Sequence, residues 1–116
     1  MKDDFKAKQD KIIAIIKTVP SGNVASYGQV ASIAGIVRGH RLVAAALRAS
    51  TIPNLPWYRI LRSDGRCGMA EGSEGYIEQF AILKTEGVLA KKGRVDMKRY
   101  QWAPNMDFLL FRPIDL

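Results

Sequence analysis

One cysteine, Cys67, is all this chain has, and that scarcity closes off two kinds of protein at once. A lone thiol can form no internal disulfide and cannot furnish a cysteine-rich zinc site. Long apolar runs are missing as well: nothing approaches the ~20 consecutive apolar residues of a membrane-spanning helix. The first residues, Met1-Lys2-Asp3-Asp4, lack the apolar core of a secretory signal, so the expected compartment is the cytoplasm, with no membrane partner. Internal repeats and low-complexity tracts are absent. At 116 residues the chain suits one domain with a modest core. No metal and no cofactor is expected, and no segment suggests dimerisation, so a monomer is the expectation.

Acidic residues are also in deficit: 11 against 18 lysines and arginines, a formal charge of +7 with a pI near 9.8. Between Ile36 and Arg66 the deficit is sharpest. Asp64 there faces Arg38, Arg41, Arg48, Arg59, Arg62 and Arg66, a local charge of +5 without a single lysine. The arginine fork pairs with phosphate and stacks on bases, which favours nucleic acid; a solvated basic face is the plainer alternative.

What is present begins with helical periodicity. Over Asp4–Lys17 the apolar residues Phe5, Ile12, Ile13 and Ile16 recur at helical spacing. Pro20-Ser21-Gly22-Asn23 ends that helix with turn chemistry. Ser26-Tyr27-Gly28-Gln29 has the form of a capping box, Ser26 reaching forward and Gln29 back, ahead of a short helix carrying Val30, Ala31 and Ile33. Gly35 suits the C′ position of that helix. His40–Ala49 reads as the next helix, with Val43 and Leu47 inward, and two short helices joined by a glycine-containing turn suggest helix-turn-helix. Ser50–Ala70, with Pro53, Pro56, Gly65 and Gly68, reads as a functional loop holding at most one short strand at Tyr58–Arg62. Ser73–Glu86 is a fourth helix, with Tyr76, Ile77, Phe80 and Leu83 on one face, ended by Gly87. Val88–Met97 suits a small hairpin turning at Lys92-Gly93. The tail from Asn105 is apolar in patches without a period.

Three motifs carry chemistry: Pro56-Trp57-Tyr58-Arg59-Ile60; Ser26-Tyr27-Gly28-Gln29-Val30-Ala31 with Arg41-x-Val43 fourteen residues after the tyrosine; and Glu86-Gly87-Val88. Together they resemble the O6-alkylguanine-DNA alkyltransferases, whose Pro-Cys-His-Arg-Val segment bears the cysteine that removes an alkyl group from a flipped guanine. Trp57 holds the cysteine position here and Tyr58 that of the histidine, so thiol and proton relay are both missing. Tryptophan in that setting is the pattern of the alkyltransferase-like proteins, which resemble the enzyme without its transfer chemistry.

The resemblance implies a role for each matched residue. Trp57 becomes a wall for a base taken out of the stack, a contact worth roughly 1–3 kcal/mol. Arg41 matches the arginine finger that fills the vacated place in the duplex. Tyr27 matches the tyrosine that presses on the target phosphate, and the cap Ser26 offers its backbone N–H at a helix N-terminus. Ala44, Ala45 and Ala46 permit close approach in a minor groove, or are merely good helix formers. Arg48, from the arginine-rich segment, is expected to add a cation for a DNA phosphate. Arg59 is expected to hold the pocket loop, Pro53 and Pro56 to stiffen it, and Glu86 to keep a structural hydrogen bond. Two positions depart from the family: Ser50 replaces an asparagine, and Gly68-Met69-Ala70 stands where relatives carry an arginine, for which Arg66 is a substitute.

The expected fold is mainly α: a single winged-helix-like domain with a helix-turn-helix and a small β-hairpin over residues 1–104, then a tail over 105–116. The expected partner is double-stranded DNA containing alkylated guanine, with nucleotide excision repair proteins reading the complex. Two other readings stay open: a helix-turn-helix DNA-binding or regulatory protein without lesion specificity, and a divergent alkyltransferase using Cys67.

Overall fold

The computed structural model describes residues 2–105, 108 and 109. Helix α1, Lys2–Thr18, lies across the back of the molecule. Ile12, Ile13, Ile15 and Ile16 are buried on it together with Val19 just beyond, so its apolar stripe is one residue denser than the sequence spacing suggests. Each fully buried isoleucine contributes about 1.5–3 kcal/mol relative to exposure. Against this stripe pack α2 (Tyr27–Ile33) and α3 (His40–Ala49). Val30, Ala31 and Ile33 face it from α2, Val43 and Ala46 from α3. Gln9 Nε2 donates to the Ala46 carbonyl at 3.1 Å, tying α1 to the end of α3. The two short helices make the expected helix-turn-helix, and α3 spans the residues anticipated for it.

A minimal parallel pair then decides where the pocket loop goes. Strand β1 (Ala25–Ser26) pairs with β2 (Ile60–Leu61) in the register Ala25↔Ile60 and Ser26↔Leu61. Since β1 runs directly into α2, this pairing sets Tyr27 beside the 3-10 turn Trp57–Arg59 that precedes β2. The expected strand at Tyr58–Arg62 is thus shorter, its first residues bent into that turn after Pro56.

The remaining elements build a second, smaller core. Helix α4 (Glu74–Thr85) is capped by Ser73, whose hydroxyl accepts from Tyr76 N. Strands β3 (Ala90–Lys91) and β4 (Arg94–Val95) form the expected hairpin, and Lys92 and Gly93 at its turn both have positive φ. Val24, Leu61, Leu83, Val88 and Val95 pack together there, with Tyr58 and Phe80 against them. A short α5 (Met97–Tyr100), capped by Asp96, was not anticipated. It returns the chain to β1: Val24 N donates to Tyr100 O and Trp102 N to Val24 O.

Two local expectations are corrected, and part of the tail is placed. Ile77 is 60% exposed while Gln79 is buried, because the inward face of α4 runs through Tyr76, Gln79, Phe80 and Leu83 and carries Ile77 off to the side. The capping box is half-formed: Ser26 Oγ accepts from Gln29 N at 2.9 Å, but Gln29 Nε2 donates to Trp102 O at 2.7 Å, drawn off by the returning chain. Of the tail, Phe108 and Leu109 pack on the larger core, and Phe108 meets Trp102 edge-on at 5.1 Å; residues 106, 107 and 110–116 lie outside the described residues. No helix among the described residues is long and apolar enough to cross a membrane.

Candidate nucleic-acid interface

The outward face of α3 carries Arg41, Ala44 and Arg48 at helical spacing, and it forms one side of a cavity of about 550 Å³. Tyr27, at the start of α2, and Trp57, on the 3-10 turn, close two more sides. Five of the residues marked in the sequence therefore meet in one place. A second hollow of about 390 Å³, between Leu47, Ser50 and Leu55, also borders Trp57. Two hollows thus share the indole.

Arg41 is exposed and has no hydrogen-bond or ion-pair partner among the described residues. An unpaired guanidinium at the mouth of a cavity is free to pair with something brought to it. Tyr27 is half-buried, and burial first, then the Cys67 side chain, push its phenol above the ordinary value, with Arg48 opposing. It stays neutral at physiological pH, a hydrogen-bonding group rather than a base. A Cβ at Gly68 would stand 2.9 Å from the Tyr27 hydroxyl, so the bare backbone there is what lets the tyrosine lie flat against the loop.

Behind the wall, the loop is locked. Pro56 is buried. Arg59 donates to both carboxylate oxygens of Glu86, at 2.9 and 2.5 Å, and to the Val19 carbonyl at 2.9 Å. Tyr58 turns away from the cavity, its hydroxyl 3.4 Å from Glu86 and its ring edge-on to Trp57 at 5.8 Å. Gln79 reaches across from α4 and donates to the Tyr58 and Ile60 carbonyls, both at 2.9 Å. Such charge-assisted and bidentate contacts fix a turn that has few backbone bonds of its own.

Ser26 supports the site from below as the cap of α2, and Ala45 flanks Ala44 without lining the cavity. Pro53 is exposed in a turn outside the lining. Arg66 also stands outside: Asp64 draws it aside at 3.7 Å, and its backbone pairs with Arg94 of the hairpin. Arg62 lines the cavity in its place. His40, Leu47, Gly68, Met69 and Gln79 join the lining too, and sequence reasoning singled out none of them for the site. Leu47 follows Ala44 at helical spacing and could have been found that way; an inward glutamine gives no such signal.

Transfer chemistry would need an accessible nucleophile and a base beside it. Cys67 is 6% exposed, donates its S–H to Gln79 Oε1 at 2.9 Å and accepts from Met69 N. The cysteine side chain is thus buried and engaged by Gln79 and Met69.

Fold and cavity together define a helix-turn-helix domain whose second helix borders a cavity. The family model for the 6-O-methylguanine DNA methyltransferase DNA-binding domain matches residues 7–88, and the chain belongs to that family, in its alkyltransferase-like branch. It is 31% identical over 98 residues to the DNA base-flipping protein of Vibrio parahaemolyticus, covering 81% of this chain and 94% of that one. A methylated-DNA–protein-cysteine methyltransferase of Rattus norvegicus is 35% identical over 75 residues, 64% of this chain and 35% of the rat protein. Among solved structures, the crystal structure of S. pombe Atl1 in complex with damaged DNA containing O6-carboxymethylguanine superposes with a TM-score of 0.76 at 26% identity, covering 88% of this chain and 97% of that one.

Proposed function

We propose that this protein recognises O6-alkylguanine in DNA without removing the alkyl group. The helix-turn-helix lays α3 along the minor groove, where Ala44 and Ala45 allow the helix backbone to come close. Tyr27 presses on the target phosphate, Arg41 occupies the vacated place in the stack, and the rotated base enters the cavity against Trp57. Unstacking and unpairing cost a few kcal/mol, less for a base whose pairing is already damaged, and an aromatic wall returns roughly 1–3 kcal/mol. That balance favours the lesion over intact guanine.

One observation carries the reading: the unpaired Arg41 on α3, Trp57 and Tyr27 line one cavity. The absence of transfer chemistry rests on Trp57 at the nucleophile's place and on Cys67 committed to Gln79. A complex with no chemical exit persists, and persistence suits a mark read by nucleotide excision repair proteins.

Mobility-shift titrations of duplexes with and without O6-methylguanine test it. Tighter binding of the lesion is expected, and Arg41→Ala is expected to weaken that binding at least tenfold. Equal affinity for both duplexes leaves only a helix-turn-helix binder without lesion specificity. Incubation with radiolabelled methylated DNA is expected to leave no label on the protein; label on Cys67 would establish an alkyltransferase.

A further inference from the structure

The basic surface does not end at the cavity rim. Arg62 lines the cavity and, with Ser63, a smaller cleft beside Tyr27 and His40. Ser63 in turn borders a cleft of about 580 Å³ where the cations Lys91, Arg94 and Lys98 outnumber the carboxylates Asp64 and Asp96. Positive charge therefore continues from the cavity onto the β3–β4 hairpin.

On that hairpin the charges are arranged against the fold's own interest. Lys91 and Arg94 are direct partners in the antiparallel register, and Arg94 is paired again with Arg66 across an isolated antiparallel bridge. Directly opposite residues in a ladder share a face, and like charges there destabilise the pairing. Three neighbouring segments thus set Lys91, Arg94 and Arg66 in one exposed row. One carboxylate, Asp64, serves both Arg62 at 3.3 Å and Arg66 at 3.7 Å, while Arg94 Nε donates to the Asp64 carbonyl at 2.8 Å. Lys91 has no ion-pair or hydrogen-bond partner among the described residues. Hairpins stabilised by their own side chains place opposite charges at such facing positions; here Asp64 is shared between Arg62 and Arg66, and Lys91 is left for an anion from outside.

The row is also rigidly joined to the site. Val95 N donates to Gly65 O at 2.9 Å, and Arg62 N to Arg66 O at 2.8 Å. Gly65 has φ +86°, and the Val95 carbonyl occupies the space a Cβ would need, so glycine alone lets the turn between Arg62 and Arg66 seat on β4. The same turn leads back through Arg62 to the cavity.

We infer that Lys91, Arg94 and Arg66, continued by Arg62, form a second phosphate-binding surface that grips the DNA backbone beside the flipped nucleotide. The inference rests on the reading that the cavity takes a base from a duplex. A straight row of cations on a stiff ladder suits a regularly charged polymer, and its continuity with the cavity places that polymer's backbone where the target strand leaves the site.

Fluorescence anisotropy of the full chain on damaged and undamaged duplexes, repeated over a salt series, tests this. Two neutralised phosphate contacts in a Lys91→Gln, Arg94→Gln variant are expected to make the slope of log K against log salt shallower by ~1.8. The ratio of damaged to undamaged affinity is expected to stay that of the parent. Lys91→Gln alone, which relieves repulsion, is expected to melt no lower than the parent while reducing the slope by about half as much. An unchanged slope in the melted-and-refolded, correctly folded Lys91→Gln protein overturns the surface, whether the row is then simply solvated or faces an acidic protein. Should the slope fall while the parent shows no lesion preference, the surface stands and the cavity reading fails.

Discussion

The Glu86 carboxylate is fully engaged within the fold. It accepts from Arg59 and Tyr58, and from Ser21 and the backbone of Gly22, so it binds the pocket turn to the turn that follows α1. The Arg59–Glu86 pair is nearly enclosed, with side-chain exposures of 15% and 11%. Breaking such a pair strands the remaining charge, so Glu86→Ala is expected to lower stability by about 3 kcal/mol, the low end for buried pairs, in urea unfolding. The hydrogen bond from Arg59 holds the Glu86 carboxyl below its ordinary range. A carboxylate depressed in this way contributes stability above its unfolded value, near pH 4.3, and loses it as pH falls through the lower folded value. Glu86→Gln has no such charge to lose. The stability gap between parent and Glu86→Gln is therefore expected to narrow between pH 7 and pH 3; a gap of constant size would mean that the hydrogen bonds, not the charge, supply the stabilisation.

Among the elements, α2 is the one whose start matters most, because Tyr27 is its first residue and Ser26 its cap. Ser26→Ala removes the acceptor for Gln29 N, a loss of about 1 kcal/mol by the usual measure of N-caps. Since the same residue pairs with Leu61 in the parallel ladder, fraying there loosens both sides of the cavity. The variant is expected to melt lower and to lose part of its lesion preference, measured by thermal unfolding and mobility shift; lower melting with unchanged preference would confine Ser26 to folding. This cap and the span of α3 were legible because both are written locally, in a serine three residues before a glutamine and in a helical period. The 3-10 turn was not, and the strand expected at Tyr58–Arg62 came without its true length or its partner. Two-residue strands have no period to detect, and their pairing joins residues thirty-five positions apart. Gln79 escaped for a related reason: an inward polar residue contradicts the apolar pattern, and its value appears only once Tyr58 O, Ile60 O and the Cys67 thiol are placed around it. Most of the cavity beyond Tyr27, Arg41, Ala44, Arg48 and Trp57 follows from those long-range bonds. Motif spacing marked the matched positions, whereas Met69 and Gly68 lie in a loop without a periodic pattern.

Across the whole molecule, two kinds of interaction with DNA are physically separable. The formal charge of +7 acts on every phosphate within reach, whatever the sequence or damage, and releases counterions as it does so. In the proposed function the cavity takes one base, against Trp57, Leu47 and Met69, and stacking there releases no counterions. Absolute affinity is therefore expected to fall steeply with salt for damaged and undamaged duplexes alike, while their ratio stays nearly constant. Trp57→Ala removes the wall but no charge: it is expected to bring the ratio down by roughly tenfold, the low end of a ~1–3 kcal/mol stacking contact, and to leave both salt slopes unchanged. The opposite pattern, a ratio that collapses with salt in the parent, would place discrimination in the phosphate contacts instead. In that case the lesion would be read through the deformability of the duplex around it, and the cavity would hold the flipped base without choosing it.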